Sequence, residues 1–399
     1  MFKRLLSCLA LAAACALSLP AQNVPGDGSG LWFTPKNAEL TFQGLAAGDA
    51  IVFTRPVNNL PAGSYVQFGV NLEAKGPKAP GEFTVELQDG TEWVSGGGFV
   101  TIDPAARHPS CFLHIFRLNN PVSDTLRVRC RVSGDKAIDG GLLSKDAPDN
   151  KFALKTKSYV GAYLNPIGSH VPVETKSLLL IGNSFTYYYG VAFMLQEIAF
   201  SQGFQLNIDM SLKGGQTFRQ QCGLQMTGIK IAGGPYDCAI VQGQSQEPAQ
   251  WAKEPGKHKD VKKAFQELCK SIRKSSPDCH IYMENTWSYP GASNGGFDSE
   301  QEFNELLIAG TKRISRAGRA DVSPVGEAFT LSRKLYPNIN LFSSDNKHQS
   351  QAGSYLKACV GYLLLRGLPF GPEVPSCGLP QADAAALRSV AEHVVLRTE

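Results

Sequence analysis

The chain has 399 residues, 19% of them charged, and a formal net charge of +4 at pH 7. No basic block is interleaved with aromatics, which argues against a nucleic-acid partner. After the first 20 residues no run reaches the roughly 18 uncharged apolar residues needed to span a bilayer, and the length suits two domains.

In chain order, Met1-Phe2-Lys3-Arg4 and the apolar stretch Leu5 to Leu19 have the form of a signal peptide, with small residues before Gln22 for cleavage after Ala21. A lipid anchor at Cys15 is disfavoured because no leucine lies three residues before it. The expectation is a signal peptide over 1–21 and an exported protein, in the periplasm, at the cell surface or secreted. Ten cysteines become eight once Cys8 and Cys15 leave with the signal. In an oxidising compartment sequential disulfides are the simplest arrangement for Cys111 to Cys377, with buried free thiols the ordinary alternative. No CxxC or Cys/His pair has zinc-ligand spacing, so no metal site is expected.

From Asn23 to about Gly134 short alternating segments are broken by Gly, Pro and Asn: Ala50 to Thr54, Tyr65 to Val70, Phe83 to Leu87, Phe112 to Phe116 and Leu126 to Cys130. Period-two strands with no helical pattern between them predict an all-β, jelly-roll-like sandwich domain over 22–134. It either binds carbohydrate or packs against its neighbour, and no aromatic platform is recognisable. Residues 135–176 read as a polar connector, in which Tyr159 to Leu164 could add a strand.

After Ser177 strands alternate with helical patterns. The strands are Leu178 to Ile181, Gln205 to Met210, Cys238 to Val241, Ile281 to Glu284 and Val322 to Val325. The helices are Val191 to Ser201, Val261 to Ser275 and Ser299 to Arg316, the last placing Phe303, Leu306, Leu307, Thr311 and Ile314 along one face. This alternation predicts a parallel sheet with helices on both faces and ligands at the carboxyl ends of its strands.

Polar residues gather at those ends. Ser184 follows Gly182 and Asn183, which tolerate a tight turn; the residue is either an exposed nucleophile or a helix cap. Gly214-Gly215-Gln216-Thr217 follows the second strand and Gln242-Gly243-Gln244-Ser245 the third, where backbone N–H groups or an amide could face a developing oxyanion, or where the residues are turn glycines and solvated glutamines. Asp345 stands three residues before His348, in the loop entering an apolar helix, and could fix the tautomer of the ring. Trp287, Tyr289 and Tyr187-Tyr188-Tyr189 form either a stacking wall for a sugar ring or ordinary packing. His280 reads as structural, and Glu284 as a lone carboxylate at a strand end.

These four loops together resemble the SGNH hydrolases, the GDSL-like esterase and lipase superfamily. Gly182-Asn183-Ser184 is similar to the first block, with Asn183 in place of the usual aspartate. Gly215 is similar to the glycine of the second block, and Asp345-Asn346-Lys347-His348 to the Asp-x-x-His block. The third block usually reads Gly-x-Asn, whereas this chain has Gly243-Gln244-Ser245, similar to a variant in some carbohydrate acetylesterases. Tyr236 to Pro248 and Ser323 to Phe329 also resemble a branch of secreted gut-bacterial proteins. The resemblance spans roughly 177–366.

It implies a flavodoxin-like three-layer α/β/α domain over 177–399 and a serine esterase needing no cofactor. Ser184 would be the nucleophile, His348 the base and then acid, and Asp345 its orienting group. The N–H groups of Ser184 and Gly215, with the amide of Gln242 or Gln244, would hold the oxyanion, and Trp287 and Tyr187 would contact substrate. Small O-acyl esters are the implied substrates, O-acetyl groups on carbohydrates foremost. Lipid or aryl esters, and a catalytically impaired glycan-binding protein, are the alternatives.

Overall fold

A computed structural model describes residues 31–32, 39–40, 48, 50–72, 81–101, 110–133, 161–168, 171–291 and 295–397. The expected signal peptide and most of the expected connector lie outside the described residues.

The N-terminal half contributes strands β1 (Leu31–Trp32), β2 (Glu39–Leu40), β3 (Ala50–Pro56), β4 (Tyr65–Leu72), β5 (Gly81–Asp89), β6 (Glu92–Thr101), β7 (Ser110–Arg117), β8 (Thr125–Val132) and β9 (Gly161–Gly168). The remainder begins with β10 (Glu174–Gly182), α1 (Ser184–Tyr187), a 3₁₀ turn at Tyr188–Gly190, α2 (Val191–Ser201), β11 (Phe204–Leu212), α3 (Phe218–Cys222) and α4 (Gln225–Ala232). It continues through β12 (Cys238–Val241), α5 (Glu247–Lys253), α6 (Asp260–Ser275), β13 (His280–Glu284), α7 (Glu300–Ala317), β14 (Asp321–Ser323), α8 (Val325–Leu335), α9 (Gln351–Arg366) and α10 (Gln381–Leu396).

The parallel strands run β11-β10-β12-β13-β14, the flavodoxin-like order with its reversal between β10 and β12. β10 is central, and its apolar run suits a strand covered on both faces. Leu178 and Leu180 pack with Met194, Leu195 and Leu356 on one side. Leu179 and Ile181 pack with Phe265, Leu268 and Ile272 of α6 on the other. α6 buries Val261, Ala264, Phe265, Leu268, Cys269 and Ile272, the single-face spacing of an amphipathic helix. α7 starts where the Ser299 hydroxyl accepts the Glu302 N–H at 3.0 Å. The expected fifth strand ends early, because Pro324 ends the ladder and Val325 already opens α8.

The two halves are not joined as separate bodies. β7 pairs antiparallel with β11, Leu113 opposite Ile208, so β1-β9-β4-β7 extend the parallel strands into one nine-stranded sheet. A second, five-stranded sheet, β2-β3-β8-β5-β6, covers this extension across a core of Phe53, Val66, Phe68, Phe83, Phe116 and Val128. One layer of the N-terminal half, with β9 from within the expected connector, is thus the continuation of the parallel sheet. Gln67 of β4 donates to the Gln196 side chain of α2 at 2.9 Å, and the Tyr65 and Phe200 rings lie 4.9 Å apart across the same junction.

Cys130, Cys222, Cys238, Cys269, Cys279, Cys359 and Cys377 are free thiols among the described residues. Sequential pairing fails for Cys222 and Cys238 on simple grounds, since the two face opposite sides of the sheet. Among the described residues no helix is long and apolar enough to cross a membrane.

Candidate active site

In open parallel sheets ligands bind where the strand order reverses, here beyond the carboxyl ends of β10 and β12, and both strands end in polar turns. β10 stops at Gly182, where an added Cβ would meet the Thr186 hydroxyl at 2.3 Å, so only glycine fits. Asn183 then takes an extended conformation and caps α1, its Oδ1 accepting the Phe185 N–H at 3.1 Å. Ser184 is therefore the first residue of α1, directly above the central strand.

His348 arrives from the loop before α9. Its Nε2 lies 2.8 Å from Ser184 Oγ, and its Nδ1 lies 2.5 Å from Asp345 Oδ2. The other Asp345 oxygen accepts the N–H groups of Lys347 and His348 at 3.0 and 2.9 Å and the Ser343 hydroxyl at 2.8 Å. Partial burial alone would raise the Asp345 pKa, but the hydrogen bonds from His348, Ser343 and the two backbone groups hold it well below the usual carboxylate range. The imidazole is stacked on Tyr188 at 4.2 Å and met edge-on by Phe185 at 5.3 Å, which fixes its plane.

The backbone N–H groups of Ser184 and of Gly215, in the turn after β11, have no protein acceptor among the described residues. Gly215 holds φ +71 with open space where a Cβ would point. The two glutamines behave differently. Gln242 is 1% exposed; its Oε1 accepts the Asn183 N–H and the Thr186 hydroxyl, each at 3.0 Å, and its Nε2 donates to the Gly243 carbonyl. The expectation that Gln242 faces an oxyanion is corrected, since both ends of its amide brace the turn. Gln244 accepts the Gln246 N–H through Oε1 at 2.7 Å, and its Nε2 keeps only a long 3.4 Å contact with the Ser245 hydroxyl.

Asn183 does more than cap. Its Nδ2 donates to the carbonyls of Gln216 at 3.1 Å and Gly243 at 2.9 Å, tying the turns after β11 and β12 to the Ser184 turn. An aspartate has no donor to make these bonds. Glu247 completes the bracket, accepting the N–H groups of Gln244 at 2.7 Å and Phe218 at 3.0 Å. Burial pushes its pKa up to about 7 against those two bonds.

Trp287 is fully buried between Phe185 at 4.3 Å and Phe329 at 4.2 Å, with its indole N–H donating to the Lys347 carbonyl at 3.0 Å. It cannot meet a substrate and instead holds the Asp345–His348 loop. Tyr187 is half-buried, 5.7 Å from Tyr188, its hydroxyl 2.9 Å from where a Gly214 Cβ would lie. Tyr289 is buried with its hydroxyl 3.3 Å from that of Ser245. His280 sits at the opposite end of β13, paired with Asp321 at 2.8 Å. Glu284 is no open carboxylate, since Lys357 donates to it at 2.7 Å. Sequence reasoning missed Glu247, which joins its own preceding loop to the start of α3, and Lys357, whose partners lie far away along the chain.

No family model and no curated protein matches the chain. Among solved structures it is similar to a DUF4886 family protein from Bacteroides uniformis, at 18% identity over 56% of this chain and 95% of that one, with a TM-score of 0.48. It is also similar to a candidate SGNH hydrolase from Slackia heliotrinireducens, at 18% identity over 48% of this chain and 99% of that one, with a TM-score of 0.41. An acetylxylan esterase from Geobacillus stearothermophilus matches at 14% identity over 50% of this chain and 97% of that one, with a TM-score of 0.37.

Proposed function

We propose that this chain is an SGNH-type serine esterase that hydrolyses small O-acyl esters through Ser184, His348 and Asp345. The observation that carries the reading is the continuous line Asp345 Oδ2, His348 Nδ1, His348 Nε2, Ser184 Oγ, with separations of 2.5 and 2.8 Å at its two contacts. In this reading Nδ1 carries a proton held by Asp345, leaving Nε2 free to accept the Ser184 proton as Oγ attacks the ester carbonyl. The imidazolium then protonates the departing alcohol, and a water activated by the same nitrogen hydrolyses the acyl-enzyme.

The negative charge on the former carbonyl oxygen would be met by the N–H groups of Ser184 and Gly215, with the Gln244 amide as a third donor. Each such donor contributes about 10²–10³ in rate. O-acetyl groups on carbohydrate are the proposed substrates, the half-buried Tyr187 three residues after the nucleophile supporting a sugar ring. The proposed setting is outside the cytoplasm, following the N-terminal sequence.

Turnover of p-nitrophenyl acetate by the purified chain and by Ser184→Ala tests the reading. The expected loss is about 10⁴-fold or more, and equal rates would overturn it. Acetate release from acetylated xylan, pectin and sialylated mucin then distinguishes the sugar classes.

A further inference from the structure

We propose that the buried Glu284–Lys357 pair is a positioning element that sets Ser184 against His348, a role that rests on the esterase reading above. Neither residue touches the reacting atoms. Glu284 ends β13 and is 2% exposed, while Lys357 lies on α9 and is 5% exposed. The Lys357 ammonium donates to Glu284 Oε1 at 2.7 Å, to the Phe185 carbonyl at 2.7 Å and to the Thr186 hydroxyl at 3.4 Å. Phe185 and Thr186 are the two residues after the nucleophile.

The other half of the dyad hangs on the same helix. α9 is capped by Ser350, two residues after His348, and Gln349 also donates to the Phe185 carbonyl, at 3.0 Å. Ser354 of α9 donates to the Tyr188 carbonyl at 3.1 Å, just beneath the ring that stacks on His348. The nucleophile turn and the histidine loop thus take their relative position from one helix, and Lys357 is the charged anchor between that helix and the turn.

Stability alone is a poor reason for such a pair. Withdrawing two charges from water costs several kcal/mol per ion, and well-packed apolar residues of similar volume often serve as well or better. Burial pulls the Lys357 pKa down and the Glu284 pKa up, each countered by the other's charge. What apolar residues cannot supply is the Lys357 donor to the Phe185 carbonyl and the Thr186 hydroxyl, whose loss leaves Gln349 alone to hold that carbonyl and loosens the turn that carries Ser184. Misplacement by about 1 Å can cost roughly 10²-fold in rate.

The test is the kinetics of the Glu284→Leu/Lys357→Met double variant, with Ser184→Ala and wild type in parallel on p-nitrophenyl acetate. The expected result is an unchanged KM and a near-wild-type thermal midpoint with kcat lowered about 10- to 100-fold. A folded double variant with wild-type kcat overturns the positioning role while leaving the esterase reading intact. Equal turnover by wild type and Ser184→Ala overturns the esterase reading and the positioning role with it. If the Leu/Met pair does not fold, Glu284→Gln/Lys357→Met is measured in its place, with the same expected split and the same overturning result.

Discussion

At the scale of single residues, the candidate site was legible where chemistry is local. A hydroxyl at a strand end and an imidazole with a carboxylate three residues before it, in the loop entering a helix, need only face one crevice to meet, and Ser184, His348 and Asp345 do meet. Direction was not legible. Gln242 and Gln244 both follow β12 two residues apart, and period-two alternation would give them the same face, yet Gln242 is buried bracing the turn while Gln244 is only partly buried. Trp287 follows β13 as a rim aromatic would, yet Phe185 and Phe329 enclose it. Glu247 was invisible because its partners come from α3 and its own preceding loop. Its raised pKa gives a prediction for stability. The folded value, about 7, lies above the ordinary 4.5, so its contribution to stability is full below about 4.5 and is lost as pH rises to about 7. Urea unfolding at pH 5 and pH 8 should show Glu247→Gln losing less stability than wild type across that interval, whereas equal losses would remove Glu247 as the cause.

Among elements, long periodic helices and apolar strands were readable, and α2, α6 and α7 fall within a residue of expectation. The short helices α3 and α5 were not, since five and seven residues are too few to reveal a helical period. They are nonetheless the elements that carry the Glu247 bracket. α5 is held close to α7 at Gly310, where an added Cβ would lie 2.0 Å from the Pro248 carbonyl oxygen, a backbone atom that cannot swing away. A glycine-to-alanine change inside a helix ordinarily gains about 0.8–1 kcal/mol. At Gly310 the sign should reverse, Gly310→Ala destabilising by about 1–3 kcal/mol through overpacking and lowering turnover by shifting Glu247. A thermal midpoint at or above wild type would contradict the close approach.

At the scale of the whole molecule, the alternation of strands and helices after Ser177 was enough to expect a parallel sheet with its ligand site at the strand ends. The coupling of the two halves was not foreseeable, because the β7–β11 ladder joins residues almost a hundred positions apart and local patterning carries no pairing information. That ladder makes the N-terminal strands part of the framework that holds β10, and with it Ser184, at the centre of one sheet. The central claim is that this framework delivers an activated serine. Its most direct test is labelling of the intact chain with a serine-directed fluorophosphonate, followed by mass mapping of the modified peptide. The account predicts a single adduct on Ser184 that is lost in His348→Ala. No adduct on Ser184, or one formed equally well without His348, would contradict it.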